Sequence, residues 1–456
     1  MSADVLMTRS QCIAFASVAG LAIALWIAAP GFAGTLGFAL LSLPFFCITA
    51  LRLAALWHLS SDEGSKTTVH GQVAVADLET WPAYTLIVPL YREAKVAEAL
   101  VRSLGVLDYP TDRLQILLVT EQEDEATRQA LEGSALTKSM KVLTVPAGVP
   151  RTKPRALNYA LTFATGEIVA IYDAEDAPAP DQLKAAARAM RASGNRLACV
   201  QARLDIYNPG DTFFTRQFTL EYAALFFALL PAYARLGFPL PLGGTSNHFS
   251  REALERSGGW DPFNVTEDAD LGLRLARLGY KVAVVPSDTW EEAPATFAQW
   301  FGQRTRWIKG WMQTYLVHMR SPARLWRDLG SSAFLGFQMI FGGLILSALV
   351  HPLFYLVLAF HLAQGAPLSA AVSGWEVAIY GAYGLNVLAS YASAMVLSAA
   401  CARRRDKPWL ARATLGLPVY WLMISGAAYM AGAELVRRPY HWAKTTHTGS
   451  GRETMP

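Results

Sequence analysis

Tyr84-Thr85-Leu86-Ile87-Val88-Pro89-Leu90-Tyr91-Arg92-Glu93 is an apolar run of strand length, stopped by a proline, with an acid at its C-terminal end. An unbroken apolar run suits a strand covered on both faces. A helix is expected from Ala94 to about Leu104. A second strand, Leu114-Gln115-Ile116-Leu117-Leu118-Val119, then runs into Thr120-Glu121-Gln122-Glu123-Asp124. Strand, helix and strand with acids at the strand tips describe an open, mainly parallel sheet with helices on its faces. Ligands of such sheets bind outside the carboxyl ends of the strands, so Glu93 and Glu121 are expected at one crevice. Taken alone, Glu121 reads equally well as an ordinary surface acid.

The next units repeat the pattern. Lys141-Val142-Leu143-Thr144-Val145 is a short strand, and the loop after it holds Arg151-Thr152-Lys153-Pro154-Arg155 before a helix near Ala156. Three cations in five residues suit a diphosphate, although a solvated basic loop has the same composition. Ile168-Val169-Ala170-Ile171-Tyr172 is a further buried strand, ending in Asp173-Ala174-Glu175-Asp176-Ala177-Pro178. Carboxylates two apart at a strand end project to one side, where Asp173 and Glu175 could hold Mg2+ or Mn2+ against a nucleotide diphosphate. In isolation the same residues make a structural turn.

Thr266-Glu267-Asp268-Ala269-Asp270 follows a Gly-Gly-Trp-Asp turn and precedes Leu271, Leu273, Leu275 and Leu278, which places the acids at a loop-to-helix junction. Backbone N–H groups at a helix start favour an ionised carboxylate, so a base among these acids would stay charged and ready to accept a proton. An acidic N-cap cluster is the plainer alternative. Pro241-Leu242-Gly243-Gly244-Thr245-Ser246-Asn247 offers closely approaching backbone beside small hydroxyls. Tyr280 to Pro286 reads as the last strand. Phe297 to Tyr315 reads as an amphipathic helix with Gln303, Arg306 and Trp307 on one face. Gln can hydrogen-bond, Arg can hold phosphate and Trp can carry a sugar ring, although such a helix could equally lie in a membrane interface. Phe213 to Arg235 is aromatic and apolar, fitting a membrane contact, an acceptor channel or plain core.

The chain has 456 residues, 53% of them hydrophobic, and a mean hydropathy of +0.24. That is too long for one ordinary domain and too apolar for a wholly soluble one. From Ile13 to Trp57 only Arg52 is charged, and Pro30-Gly31 divides the run into two segments of spanning length rather than a cleaved leader. Segments 333 to 362, 375 to 400 and 413 to 436 could each cross a bilayer. The expected division is two transmembrane helices over 1–60, a linker over 61–79, a soluble domain over 80–322, interfacial and transmembrane helices over 323–440 and a tail over 441–456.

Arg304, Arg306, Lys309, Arg320, Arg324 and Arg327 near the junction, and Arg403-Arg404-Arg405 with Lys407 between late segments, put the soluble domain in the cytoplasm. Five full spans would then leave Arg437, Arg438 and Lys444 outside, against the same rule. Either the third apolar segment breaks near His351-Pro352 or a late one is re-entrant or interfacial. Cys12, Cys47, Cys199 and Cys401 lack metal-ligand spacing. The net charge of +4 is explained by membrane-flanking cations and implies no nucleic-acid partner.

Taken in order, Val88-Pro89-Leu90-Tyr91-Arg92-Glu93, Glu121, Lys153 through Asn158, Asp173-Ala174-Glu175, Thr266-Glu267-Asp268 and Gln303 to Trp307 as QxxRW resemble the membrane-embedded inverting glycosyltransferases of family 2, the group of cellulose, hyaluronan and chitin synthases. The resemblance covers roughly Thr80 to Pro322. It implies a GT-A fold, a UDP- or GDP-linked sugar donor, and Mg2+ or Mn2+ at Asp173 and Glu175. It implies Glu93, Glu121, Lys153, Arg155, Asp173, Gln303 and Arg306 at the donor, Gly244, Thr245, Glu267 and Trp307 at the acceptor, and Asp268 as base. A β-linked glycan made at a bacterial-type inner membrane is the implied product, with membrane lipids around the helices and one-sugar transfer to a lipid as the alternative. An inactive transporter or scaffold, or a hydrolase with paired carboxylates, fits the motifs less well.

Two residues depart from the family pattern: Glu175 stands for the usual second aspartate, and Glu121 for the aspartate near the nucleoside. With only the short 441–456 segment after the last apolar stretch, the regulatory domain of cellulose synthases is not expected here. That segment carries a W-x-K-T-x-H pattern from Trp442 to His447 to which no chemistry is assigned.

Overall fold

The computed structural model describes residues 2–61, 80–363 and 374–440. Residues 62–79 of the expected linker and the 441–456 tail, with its Trp442 to His447 pattern, lie outside them. The described chain is organised on a mixed sheet of strands β1 (Tyr84–Leu90), β2 (Leu114–Glu121), β3 (Met140–Val145), β4 (Ile168–Ile171), β5 (Ala177–Pro178), β6 (Leu197–Ile206), β7 (Asn247–Ser250) and β8 (Lys281–Glu291). Their order across the sheet is β3-β2-β1-β4-β7-β6-β8-β5. β1 to β4 pair in parallel and β6 with β8 likewise, whereas β7 runs antiparallel to both neighbours and β5 antiparallel to β8.

The apolar runs become strands because both faces are covered. Leu86, Val88 and Ala170 pack under Leu100, Leu104 and Leu183, while Ile87, Val169 and Ile171 meet Leu157, Ala160 and Leu271 on the other face. Alternate residues of one strand therefore feed two cores. The first helix starts at Ala97 rather than Ala94. Arg92 takes a φ of 57° and donates its N–H to the Asp124 carboxylate, and the Glu93 N–H reaches Thr127 Oγ1 at 2.9 Å. Those bonds turn the strand end into the crevice before the helix can begin.

Helices Arg9–Ala28, Pro30–Ser60, Pro322–Leu356, Gly384–Arg404 and Pro408–Arg437 are long and apolar enough to cross a membrane. Gly330, at φ 76° and ψ 170°, kinks the third of them and sets off its first turns. Helix Gly343–Ala363 continues through Pro352, so the break expected near His351-Pro352 does not occur. The last helix, Leu417–Arg437, lies along helix Phe297–His318: Trp300 Nε1 donates to Tyr420 Oη at 2.9 Å, and Lys309 Nζ pairs with Glu434 at 2.9 Å. Just before it, Ala413 O accepts from Gln217 at 2.6 Å. Just beyond it, Pro439 O accepts from Gln313 at 3.1 Å. Both its ends therefore meet the sheet-bearing part of the chain. The loop before it does so too, with Arg405 and Lys407 each 2.6 Å from Asp205. So does the N-terminus, where Ser2 Oγ and the Ala3 N–H reach Asp261 at 2.8 and 2.6 Å.

Candidate active site

The strand ends open into a cavity of about 520 Å3. Thirteen residues were expected at a site. Glu93, Glu121, Lys153, Asp173, Glu175, Gly244, Thr245, Glu267, Asp268, Gln303, Arg306 and Trp307 all line this one cavity. Arg155 is the exception. It stands behind Glu121, with one guanidinium nitrogen 2.6 Å from the Glu121 carboxylate and another 2.8 Å from Pro146 O, so it holds a lining acid rather than lining the cavity itself.

Each side chain has a local reason for its place. Asp173 follows the last residues of β4, and the Asp173 N–H donates to Asp176 Oδ2 at 2.6 Å. Thr245 also donates its hydroxyl to Asp176, which buckles the acidic loop onto the Gly243-Gly244-Thr245 segment leading into β7. Lys153, at the start of helix Lys153–Leu161, donates to Asp173 and to Gly244 O, the latter at 2.9 Å. A side chain at Gly244 would stand 3.3 Å from Asp268 Oδ2 and 3.9 Å from Asp173 Oδ2. The two carboxylates, far apart in sequence, thus come close to one point, and only a glycine leaves that point clear.

Asp268 lies in the first turn of helix Glu267–Arg277. That turn is tied to helix Phe297–His318: Val265 N–H donates to Gln313 Oε1 at 3.1 Å, and Asn264 Nδ2 to Thr314 Oγ1 at 2.9 Å. The two approach so closely at Gly310 that a Cβ there would meet Thr266 Oγ1 at 2.3 Å. Trp307, one turn earlier, stacks on Tyr222 with ring centres 6.4 Å apart and planes 24° apart. Arg304 packs over Trp307 at 4.9 Å and is held by Glu221 through two bonds of 2.7 and 2.6 Å.

The electrostatics correct one expectation. Asp268 is not kept low by the helix start. Burial, with the neighbouring Glu267 carboxylate, pushes it up to about 7, against the opposing pull of its own helix backbone, Lys153 and Arg306. Burial also raises Glu267, Glu291 and Asp176, and raises Glu121 despite Arg155. Lys153 goes the other way: burial opposes its charge, but Asp173 and Glu267 hold the ammonium charged. The cavity gathers more acid than its cations neutralise. Among the described residues no three His, Cys, Asp or Glu side chains form a ready cage for a metal. An ion here would be held by Asp173 and Glu175 together with oxygens of a ligand, the way Mg2+ binds through one or two carboxylates and substrate phosphates. The acid excess fits such a cation.

Several lining or supporting residues escaped the sequence reading. Tyr222 and Glu291 line the cavity beside Trp307 and the acids. Glu221 and Tyr420 reach Arg304 from helices distant in sequence. Nothing local marks them. Glu291 ends β8, the position that already flagged Glu121 and Asp173, and could have been found by that rule.

A mixed α/β sheet with acids of several strand ends around one cavity defines a GT-A-type fold. The same fold is found in a solved mannosyltransferase from Pyrobaculum calidifontis in complex with GDP-Man and Mn2+, at a TM-score of 0.52 and 21% identity over 87% of this chain and 99% of that one. The family model for glycosyl transferase family group 2 matches residues 168–396, and the chain belongs to that family. Among curated proteins it is 26% identical over 288 residues to "Probable glycosyltransferase YdaM" of Bacillus subtilis (strain 168), covering 61% of this chain and 68% of the relative. It is 32% identical over 248 residues to the β-monoglucosyldiacylglycerol synthase of Synechocystis sp. (strain ATCC 27184 / PCC 6803 / Kazusa), over 53% of this chain and 50% of that protein. The chain thus spans about half the length of the Synechocystis relative.

Proposed function

We propose that this family 2 glycosyltransferase is an inverting enzyme that moves a sugar from a nucleotide donor to an acceptor hydroxyl at a membrane face. The observation that carries the reading is the meeting of Asp173, Asp268 and Lys153 at Gly244, each within 4.0 Å of where a side chain there would stand. The diphosphate would lie against Lys153, Gln303 and Arg306, with the nucleoside toward Glu93 and Glu121. A divalent ion at Asp173 and Glu175 would neutralise the leaving diphosphate. Asp268 takes the acceptor proton, and attack from its side of the cavity, opposite the departing diphosphate, inverts the anomeric carbon. A base titrating near neutral pH is matched to that proton transfer.

The apolar helices supply the membrane anchor, with the domain divisions at 1–60, 80–322 and 323–440. In this reading the last helix is interfacial: its two ends contact the same domain, which leaves Arg437 and Arg438 on the side of Arg403 to Lys407. All the cationic loops then sit together on the cytoplasmic face, removing the conflict that five spans would create.

Extension of a β-linked glycan is the product assignment. A second reading, one transfer to a lipid, is favoured by Leu225, Phe226 and Trp311 on the cavity wall and by the name of the Synechocystis relative. A screen of UDP- and GDP-sugars with Mg2+ or Mn2+, reading nucleotide release and product length, tests both. Release that survives Asp268→Asn contradicts the catalytic assignment, and products carrying a single sugar remove the polymer.

A further inference from the structure

One charge in the apolar segments has no acid to balance it. Arg52 is the sole charged residue between Ile13 and Trp57, in helix Pro30–Ser60. An ionised side chain within a spanning helix is costly unless its charge is answered, which marks it as a candidate binding site. Its Nη1 donates to Ser390 O and to Ser390 Oγ, each at 3.0 Å. Among the described residues no carboxylate lies within ion-pair reach of Arg52, and its Nε and Nη2 have no acceptor. Those two nitrogens form one edge of the guanidinium fork, the edge that takes two oxygens of a single anion.

Neighbouring side chains hold the fork in place. The Trp421 ring packs on the guanidinium, with Cζ 4.7 Å from the ring centre, a cation–π contact. Trp421 itself stacks on Tyr391, with ring centres 4.7 Å and planes 21° apart. The Tyr391 hydroxyl meets His351 Nε2 and the Tyr355 hydroxyl, both at 2.6 Å. Helices Pro30–Ser60, Gly343–Ala363, Gly384–Arg404 and Leu417–Arg437 thus all contribute to one cationic cradle.

Packing along the first of these helices gives the depth. Before Arg52, Phe45 packs on Val350 and Phe354 of another apolar helix. After it, Ala55 and Leu59 pack with Ala223, Ala224 and Ala228, which lie between β6 and β7 in the sheet-bearing part. Arg52 therefore sits where apolar helices give way to that part, and in the proposed placement this is the headgroup layer. It is half-buried rather than sealed, and Leu53, Leu388 and Leu422 on three of the four helices are exposed.

We propose that Arg52, with Ser390 and Trp421, binds the phosphodiester of an anionic phospholipid of the cytoplasmic leaflet. The phosphate oxygens accept from Nε and Nη2, and the acyl chains lie on the exposed leucines. A zwitterionic headgroup carries its own ammonium and gains less from an uncompensated cation. The inference goes beyond the sugar-transfer chemistry and rests only on the membrane placement proposed above.

The test titrates the full chain in maltoside detergent with dihexanoyl phosphatidylglycerol, dihexanoyl phosphatidylcholine or inorganic phosphate, and follows the midpoint of thermal unfolding. Phosphatidylglycerol is expected to raise the midpoint at about tenfold lower concentration than either of the others. Arg52→Gln is expected to abolish that preference, and Arg52→Lys, which keeps the charge but not the fork, to weaken it about threefold. Where Arg52→Gln does not fold, Trp421→Leu takes its place and is expected to halve the preference at least. Equal responses to the two lipids, or a preference that survives these substitutions, overturns the proposal. Inorganic phosphate as potent as phosphatidylglycerol assigns the fork to a free anion and overturns the lipid. A chain that does not enter phosphatidylcholine vesicles when detergent is removed would instead strike the membrane placement, so the two failures are told apart.

Discussion

The two halves of the sheet reach the cavity by different routes. β1 to β4 form by successive strand–helix–strand steps, and each contributes a strand-end acid or a basic loop within a few residues of a buried apolar run. The half from β5 to β8 depends on partners far away in the chain: β7 inserts between β4 and β6, Glu221 meets Arg304 83 residues on, and Tyr420 meets Glu221 from 199 residues away. In the proposed reading the first half supplies most of the donor side, charged and local, with Gln303 and Arg306 of helix Phe297–His318 added at the diphosphate. The rest of the second half, aromatic and assembled from helices including the last apolar one, would face the acceptor. A fold can thus keep one substrate's binding chemistry in short segments while the other substrate's site varies with the packing around it.

The contrast can be broken most directly at the residue that joins the halves. Asp268→Asn is expected to lower transfer by about a thousandfold, within the usual range for a lost general base, with donor affinity kept. A fall in donor affinity of the same size would show that Asp268 belongs to the donor half alone. Chelation by EDTA is the donor-side counterpart: activity is expected to vanish and return with Mn2+ or Mg2+, and full activity in EDTA would remove the ion from Asp173 and Glu175.

On the acceptor side, Glu221→Ala strands the buried Arg304 guanidinium. It should cost roughly 3 kcal/mol of stability, seen as a lower midpoint in thermal unfolding, and raise the acceptor KM more than the donor KM. Equal changes in the two constants would deny the clamp any part in acceptor binding. Gly310→Ala forces Thr266 and its helix away from helix Phe297–His318 and should cost about 2 kcal/mol as an overpacked contact, with kcat falling. Unchanged kcat would separate the position of Asp268 from that contact.

The smallest effect is in pH. Asp268 titrates near 7 in the ligand-free cavity, above the ordinary aspartate value. Its proton therefore stabilises the folded state fully below the ordinary value, and that contribution is lost as pH rises through about 7. Asp268→Asn should raise the stability of the ligand-free protein at pH 8 by roughly 1 kcal/mol, after allowance for its partial exposure, and leave it unchanged at pH 4. Wild-type transfer should move oppositely, falling about tenfold per unit of acid below the base's titration. A pH-independent difference would contradict the burial that raises Asp268.

The half from β1 to β4 was readable because its signals are local. Val88 to Glu93, Leu117 to Glu121 and Ile171 to Glu175 each show a buried strand and its acid in one stretch, and their spacing alone fixes a crevice. Arg155 looked like part of the diphosphate site because spacing cannot show which of three neighbouring cations turns away to Glu121. β7 was not legible, since its four residues carry no apolar period and exist as a strand through pairing with β4 and β6. The basicity of Asp268 was misjudged for a related reason. A helix start is visible in sequence, whereas the burial that outweighs it exists only once the chain has folded around Asp268.

The central claim is that one nucleotide sugar is held between these two halves. A cryo-EM map of the full chain with Mn2+ and a non-hydrolysable nucleotide sugar tests it most directly. The account predicts the metal on Asp173, the diphosphate against Lys153 and Arg306, and the anomeric carbon turned toward Asp268 and Trp307. Nucleotide density elsewhere, or a sugar facing away from Asp268, would contradict it.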